Sequence, residues 1–114
     1  MTGPKPGKPV RGSQTGRPIM AVLDLLGQRW VLRIIWELRE ECLGFRELGR
    51  RCDNISPSVL RFRLLELGEA GVVAQDQQGA YGLTAEGVEL FHALMPLHEW
   101  AQRWAEREKT RGDE

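Results

Sequence analysis

Apolar residues recur at helical spacing along most of the chain, which predicts a mainly α-helical domain. The first helix begins at Pro18, a favourable first-turn residue because it has no N–H to leave unpaired, and ends at Gly27. The second is predicted over 28–39. The third and fourth are predicted over about 45–51 and 57–70.

The fourth helix has the clearest start signal. Ser56 supplies a hydroxyl that can cap free backbone N–H groups, and Pro57 suits the first turn that follows. Gly71 is the expected stop. The short turn between the third and fourth helices makes them a candidate helix-turn-helix pair.

Beyond Gly71 the apolar period changes from that of a helix to that of a strand. We expect two short strands, 72–75 and 81–83, joined by a turn, and one more very short strand at 42–44. A last helix should start after Thr84 and extend to about Glu106, with a kink near residues 92–95 caused by Pro96. The two hairpin strands and this last helix complete the predicted elements.

The formal net charge of zero is unevenly distributed. Residues 1–17 contain four basic and no acidic side chains, whereas the other 97 residues contain 12 basic and 16 acidic ones. With its many Gly and Pro residues, 1–17 is predicted to be a flexible basic arm, or simply a solubilising terminus without a partner. The folded domain is predicted to span 18–106, and 107–114 is predicted to be a charged tail.

Several classes of function are disfavoured. No run approaches the roughly 18 apolar residues of a membrane span, and no apolar segment follows the first basic residues as in a secretory signal, so we expect a cytoplasmic protein. His92 and His98 are six residues apart, and Cys42 and Cys52 are ten apart, which fits neither a zinc helix nor a metal ribbon. We therefore expect no enzyme, no metal site and no cofactor.

The order of elements is that of a winged helix-turn-helix, with the hairpin as the wing and the fourth helix in the DNA major groove. Charge supports this interpretation, because the segment 45–65 has five arginines against two acidic residues, a net of +3 in an otherwise acidic body. The alternative is a solvated helix pair with ordinary surface arginines. The arginines are Arg46, Arg50, Arg51, Arg61 and Arg63.

Five fragments in this order resemble the HxlR-type winged helix-turn-helix regulators, and the resemblance covers about residues 17–105. It implies a cytoplasmic, dimeric prokaryotic transcription regulator, of a kind often responsive to reactive electrophiles or other signals. The fragments are LDLLGQRW at 23–30 with Ile34 and Ile35, FREL at 45–48, ISPSVLRFRL at 55–64 with Glu66 and Leu67, YGLTAEG at 81–87, and Trp100.

The chain departs from the family pattern at two places outside the fourth helix, which is the predicted DNA-reading helix. Many members have a sensing cysteine just before the proline that opens the first helix, and this chain has Arg17 there. Cys42 and Cys52 lie elsewhere. The wing turn, Gln75–Gly79, has one acid and no basic residue, whereas family wings often carry arginine.

A third departure lies on the reading helix, where the family usually has polar or basic residues at the positions of Phe62 and Leu65. Helical geometry turns both away from the core face, together with Ser58, Arg61 and Glu69. They could pack on thymine methyl groups, form a protein-binding patch, or become partly buried if the helix rolls.

The sequence thus predicts a dimeric, sequence-specific DNA-binding transcriptional regulator that acts on a palindromic operator of double-stranded DNA. The alternatives are a winged-helix protein-interaction module that has lost specific DNA binding, and a generic helical domain whose arm binds the partner. A small-molecule inducer between the dimer helices is a further expectation.

Predicted phosphate contacts are Arg46, Arg50, Ser56 and Arg63, and predicted base contacts are Ser58, Arg61 and Phe62. Predicted dimer contacts are Leu23, Leu90, Leu94, Leu97, Ala101 and Trp104, which include a heptad-like stripe on the last helix.

Overall fold

A computed structural model describes residues 17–112. The predicted basic arm therefore lies, except for Arg17, outside the described residues. The fold is mainly helical with one antiparallel hairpin, which confirms the predicted fold class. The elements are α1 (Pro18–Leu26), α2 (Val31–Glu37), α3 (Phe45–Arg51), α4 (Pro57–Glu69), β1 (Val73–Gln75), β2 (Tyr81–Leu83) and α5 (Ala85–Gly112).

Two helix boundaries differ from the prediction. The second helix starts only at Val31, because Trp30 has a left-handed backbone with φ 80° that a right-handed helix cannot include. The last helix runs to Gly112, six residues past the predicted end at Glu106. An ion pair of 2.9 Å between Glu108 and Arg111, three residues apart, lies in its last turns. Pro96 lies inside this continuous helix.

The core lies between α2, α3, α4 and the base of the hairpin. Its largest fully buried side chains come from the three helices and include Ile34, Leu48 and Leu60. The outer helices contribute less: α1 supplies Leu25, and α5 supplies only the partly buried Leu90 and Phe91. The remaining surfaces of α1 and α5 are therefore available for other contacts.

The hairpin pairs Val73 with Leu83 and Gln75 with Tyr81. The predicted very short strand at 42–44 forms a single bridge, in which Leu43 N donates to Tyr81 O at 2.8 Å and Tyr81 N donates to Leu43 O at 2.7 Å. This bridge attaches the wing to the segment before α3. Strand β2 is therefore hydrogen-bonded on both sides, to β1 on one and to Leu43 on the other.

The start of α5 is fastened to the start of the wing through Thr84. Its N–H donates to Val72 O at 3.0 Å, its hydroxyl donates to Gly71 O, and the same hydroxyl accepts from Gly87 N at 3.0 Å. Gly87 is buried so close to the hairpin that a Cβ atom there would lie 2.1 Å from Val72 O. Only glycine permits this approach of helix and backbone.

Two glycine-to-alanine substitutions in helices should therefore have opposite effects. Gly87→Ala should destabilise the domain by about 1–3 kcal/mol, because the methyl group forces the backbone of α5 away from Val72. Gly68→Ala in α4 should stabilise by up to about 1 kcal/mol, because its Cβ would meet only Val73 O at 3.8 Å and alanine favours the helix. Urea unfolding of both variants measures the difference, and equal shifts in the midpoint would contradict this account of the junction.

Candidate nucleic-acid interface

The turn between α3 and α4 is a tight left-handed connection. Asp53 and Asn54 have φ values of 54° and 58°, which small polar residues of this type tolerate. Arg33 of α2 braces the turn: it donates to Asp53 Oδ2 at 3.0 Å, to Glu37 Oε2 at 2.8 Å and to the carbonyl of Arg51. Arg33, which sequence analysis did not select, therefore links α2 to the turn between α3 and α4.

The amino end of α4 is capped as predicted. Ser56 Oγ accepts a hydrogen bond from Val59 N at 3.3 Å and lies 3.1 Å from Ser58 Oγ. Both serines are exposed. A helix start with free backbone N–H groups and exposed hydroxyls favours binding of a phosphate.

The arginines of α3 differ in what surrounds them. Arg46 is exposed and makes no hydrogen bond or ion pair with another residue of the range 17–112. Arg50 pairs with Glu47 at 2.5 Å, and Arg51 pairs with Glu47 at 3.0 Å and with Glu41 at 3.1 Å. Hydrogen bonds from the two guanidinium groups, first that of Arg50, lower the pKa of the Glu47 carboxyl.

Because these pairs are exposed, each is weak, and a phosphate can replace the carboxylate at little cost. Arg50 is the more accessible of the two paired arginines, with 70% of its side chain exposed. The structure therefore places Arg46 and Arg50 on an accessible face of α3, where sequence analysis expected phosphate contacts.

Arg61 and Phe62 occupy different environments on α4. The exposed Arg61 holds its guanidinium carbon 4.9 Å from the ring centre of Phe45, a cation–π contact that orients it at the junction of α3 and α4. Phe62 is half-buried, and the guanidinium carbon of Arg63 lies 5.4 Å from the centre of its ring. Leu65 is 55% exposed. Of Phe62 and Leu65, both of which helical geometry turns away from the core face, only Leu65 is therefore largely exposed.

Arg63 has an internal role that the sequence interpretation missed. Its Nε donates to the carbonyl of Arg29 at 2.9 Å, and its Nη1 donates to Glu66 Oε1 at 2.8 Å. The side chain of Arg63 is 18% exposed and that of Glu66 is 5% exposed. A phosphate contact by Arg63 would require it to leave a carboxylate partner that is almost fully buried. The sequence signal for this ion pair was the spacing of Arg63 and Glu66, since opposite charges three residues apart on one helix lie close together.

The wing turn uses its acidic residue for its own structure. Asp76 Oδ1 accepts from the backbone N–H groups of Gln78 and Ala80, each at 2.9 Å. The amide of Gln75 donates to Gly79 O at 3.0 Å, and Gly79 has the left-handed φ of 85° that glycine favours. The tip is thus a well-ordered turn that presents uncharged amide side chains.

The two cysteines are separated and unlike. Cys52 is fully buried, and burial raises the pKa of its thiol to about 11. Cys42 is exposed. In the part of the chain that the structure describes, no three His, Cys, Asp or Glu side chains gather to hold a metal ion. Within 17–112, no helix has both the length and the apolar character needed to cross a membrane.

The predicted dimer residues lie on α1 and α5, but only three of them are largely exposed: Leu23 at 53%, Leu97 at 57% and Trp104 at 49%. Trp100 joins this surface, since its ring stacks on that of Trp104 with a centroid distance of 5.7 Å. The partly buried members are Leu90, Leu94 and Ala101, of which Leu90 packs against the core.

Known proteins share both the sequence and the fold. The family model for the HxlR-like helix-turn-helix matches residues 25–109. The HTH-type transcriptional regulator YvaP of Bacillus subtilis is 34% identical over 88 residues, which cover 72% of this chain and 82% of that protein.

Two solved structures are similar in fold. An HxlR-family transcriptional factor from Thermoplasma volcanium has a TM-score of 0.66 and 28% identity, and covers 77% of this chain and 84% of its own. Quinone-bound YodB from Bacillus subtilis has a TM-score of 0.65 and 30% identity, and covers 78% of this chain and 94% of its own. The names and folds agree with the expectation of a transcription regulator rather than an enzyme. The chain belongs to the HxlR-like helix-turn-helix family of DNA-binding transcriptional regulators.

Proposed function

We propose that the protein is a dimeric, sequence-specific regulator whose two α4 helices enter successive major grooves of a palindromic operator. The observation that carries the proposal is the exposed start of α4 with Ser56, Ser58 and Arg61, together with the accessible Arg46 and Arg50 on the preceding helix α3. Half-sites would lie about one helical turn apart. Since DNA is the target, we place the regulator in the cytoplasm.

Different residues would contact the bases and the phosphates. Arg61, oriented by Phe45, would read a guanine edge, and Ser58 and the accessible edge of Phe62 would lie over neighbouring bases. Ser56 with the start of α4, and Arg46 and Arg50 of α3, would hold the backbone. We leave Arg63 out of this set because its guanidinium is committed to Glu66 and Arg29.

A second copy of the chain would cover the exposed apolar surface of α1 and α5. Leu23, Leu97, Trp100 and Trp104 are each about half exposed, the rings of Trp100 and Trp104 stack on each other, and an exposed apolar cluster such as this tryptophan pair is typical of an interface. A two-fold contact between these helices would present both α4 helices to one duplex.

The second candidate, a protein-interaction module, is favoured by one observation on α4. Leu65 lines a groove of about 500 Å³ between α4 and β1, whose walls include Val73, Ala74 and Tyr81. Such a groove could seat an apolar side chain of a partner. Absence of DNA binding at low salt, with Leu65 protected by another protein, would favour this candidate.

Two arginine variants test the proposed reading of DNA. Arg61→Ala should cost about 1–3 kcal/mol and relax the preference at one position of each half-site. Arg50→Ala should weaken all sequences alike and shallow the dependence of log K on log salt by about 0.9, because one phosphate is no longer neutralised. The operator is first selected from a random duplex pool, and matched and altered duplexes are then titrated at several salt concentrations. Equal, sequence-independent weakening in both variants would reject specific readout by α4.

The dimer proposal is tested by its exposed residues. Leu97→Ser with Trp104→Ser should give monomers in sedimentation at micromolar concentration, because neither position would then bury apolar surface against the second copy. Leu32→Ser is the matched control, since Leu32 is 47% exposed but lies on α2, outside the proposed interface. A wild-type chain that is already monomeric, or a control that dissociates equally, would contradict the interface.

We expect mild oxidants to leave DNA binding unchanged, unlike a regulator that senses through a thiol. Arg17 occupies the position before Pro18, and burial keeps the Cys52 thiol protonated. Iodoacetamide should label Cys42 alone in the folded protein and both cysteines after unfolding. Binding is measured with and without peroxide in wild type and in a Cys42→Ser, Cys52→Ala variant. A response to peroxide that disappears with the cysteines would refute the expectation.

A further inference from the structure

A small cavity lies where α1, the end of α4 and the start of α5 meet. Its volume is about 210 Å³. Its deeper walls are the buried Ala21, Leu25 and Val72, and its rim includes Val22 and Leu90. An apolar cavity of about 150 Å³ in another protein binds benzene. This pocket is partly open to solvent, and its volume suits a molecule with a single ring.

The cavity is distinct from the proposed dimer surface although both involve α1. Ala21 and Leu25, four residues apart, face the cavity, whereas Ile19 and Leu23 are exposed on another side of the same helix. Helix α1 thus has one stripe toward the cavity and one toward the proposed partner.

One carboxylate defines the polarity of the cavity. Glu86, in the first turn of α5, is the charged residue among those that line it, and the other lining residues are apolar. Glu86 is exposed and makes no ion pair or hydrogen bond with another residue of the described range. No cysteine lines the cavity, so a ligand there would be held without a covalent bond to sulfur.

We propose that this cavity binds a monocyclic organic cation, with the ring against Leu25 and Val72 and the charge beside Glu86. The cavity also touches the DNA-reading elements, because Ala70 caps the end of α4 and Val72 precedes β1. Val72 O is itself the acceptor from Thr84 N at the junction with α5. A ligand at this position would therefore bias the placement of α4 and the wing relative to α5, a regulatory consequence that rests on the proposed DNA-binding function.

The test compares three probes of similar shape: benzylammonium, benzyl alcohol and benzoate. Methyl chemical shifts of the full chain are followed by NMR during titration. We expect saturable binding of benzylammonium in the millimolar range, usual for about eight heavy atoms, with shifts centred on Leu25 and Val72. Because an exposed carboxylate is weak, benzyl alcohol should bind about two- to fivefold less tightly, and benzoate less tightly still.

Matched variants separate charge from shape. Glu86→Gln should abolish the preference for the cation, whereas Glu89→Gln, an exposed neighbour on α5 that does not line the cavity, should keep it. Val22→Trp at the rim should prevent binding of all three probes. Equal affinity for cation and alcohol in wild type, or shifts centred elsewhere, would overturn the proposal. Binding that appears only in a variant lacking residues 1–16 would assign the cavity to that segment and also overturn it.

A DNA titration with and without benzylammonium tests the regulatory consequence. We expect a change in operator affinity in wild type that is absent in Val22→Trp. Unchanged affinity at saturating ligand would overturn regulation through this cavity. If the chain binds no DNA at all, the proposed function fails while the NMR titration still decides whether the cavity binds the cation.

Discussion

The placement of α4 depends on Arg63, which compensates the buried Glu66 of the same helix and contacts the loop between α1 and α2. Glu66 is 4% exposed, and a carboxylate removed from water in this way destabilises the fold unless a cation and hydrogen bonds compensate it. Arg63 provides both, and its second hydrogen bond, to the carbonyl of Arg29, fixes α4 against the loop between α1 and α2. With Leu60 and Leu67 buried on the inner face, this contact sets which residues face outward.

The outward residues form a cationic surface inside a chain with no net charge. Glu47 partly neutralises Arg50 and Arg51, so the arginines without a carboxylate at hand, Arg46 and Arg61, dominate the local field. Exposed pairs exchange partners easily, whereas the pair on α4 does not. Arg50, whose carboxylate partner is partly exposed, therefore stays available to a phosphate. Arg63, whose partner Glu66 is buried, has a structural role instead.

Local signals were sufficient to predict most elements. The Ser56 cap, the stop at Gly71 and the hairpin turn each depend on residues within four positions of one another, and all three are present. The left-handed Trp30 and the internal Arg63 were not predictable, and the sequence left the partial burial of Phe62 open as one of three alternatives. Arg63, for example, contacts a carbonyl 34 residues away, and such a contact exists only once α1, α2 and α4 have packed.

The length of α5 links the proposed dimer contact to the proposed binding of DNA. Its first turns contact the core through Gly87, Leu90 and Phe91, and His98 further along places its ring centre 5.1 Å from that of Trp36 on α2, while Leu97, Trp100 and Trp104 lie exposed. In a two-fold dimer each α5 contacts the same surface of the other copy, so the distance between the two α4 helices follows from where these exposed residues meet. Because Thr84 and Gly87 hold α5 against the wing, that distance would be transmitted to the DNA-reading helices through this hydrogen-bonded joint. In the proposed dimer, the residues that specify the partner copy would therefore also specify the spacing of the half-sites.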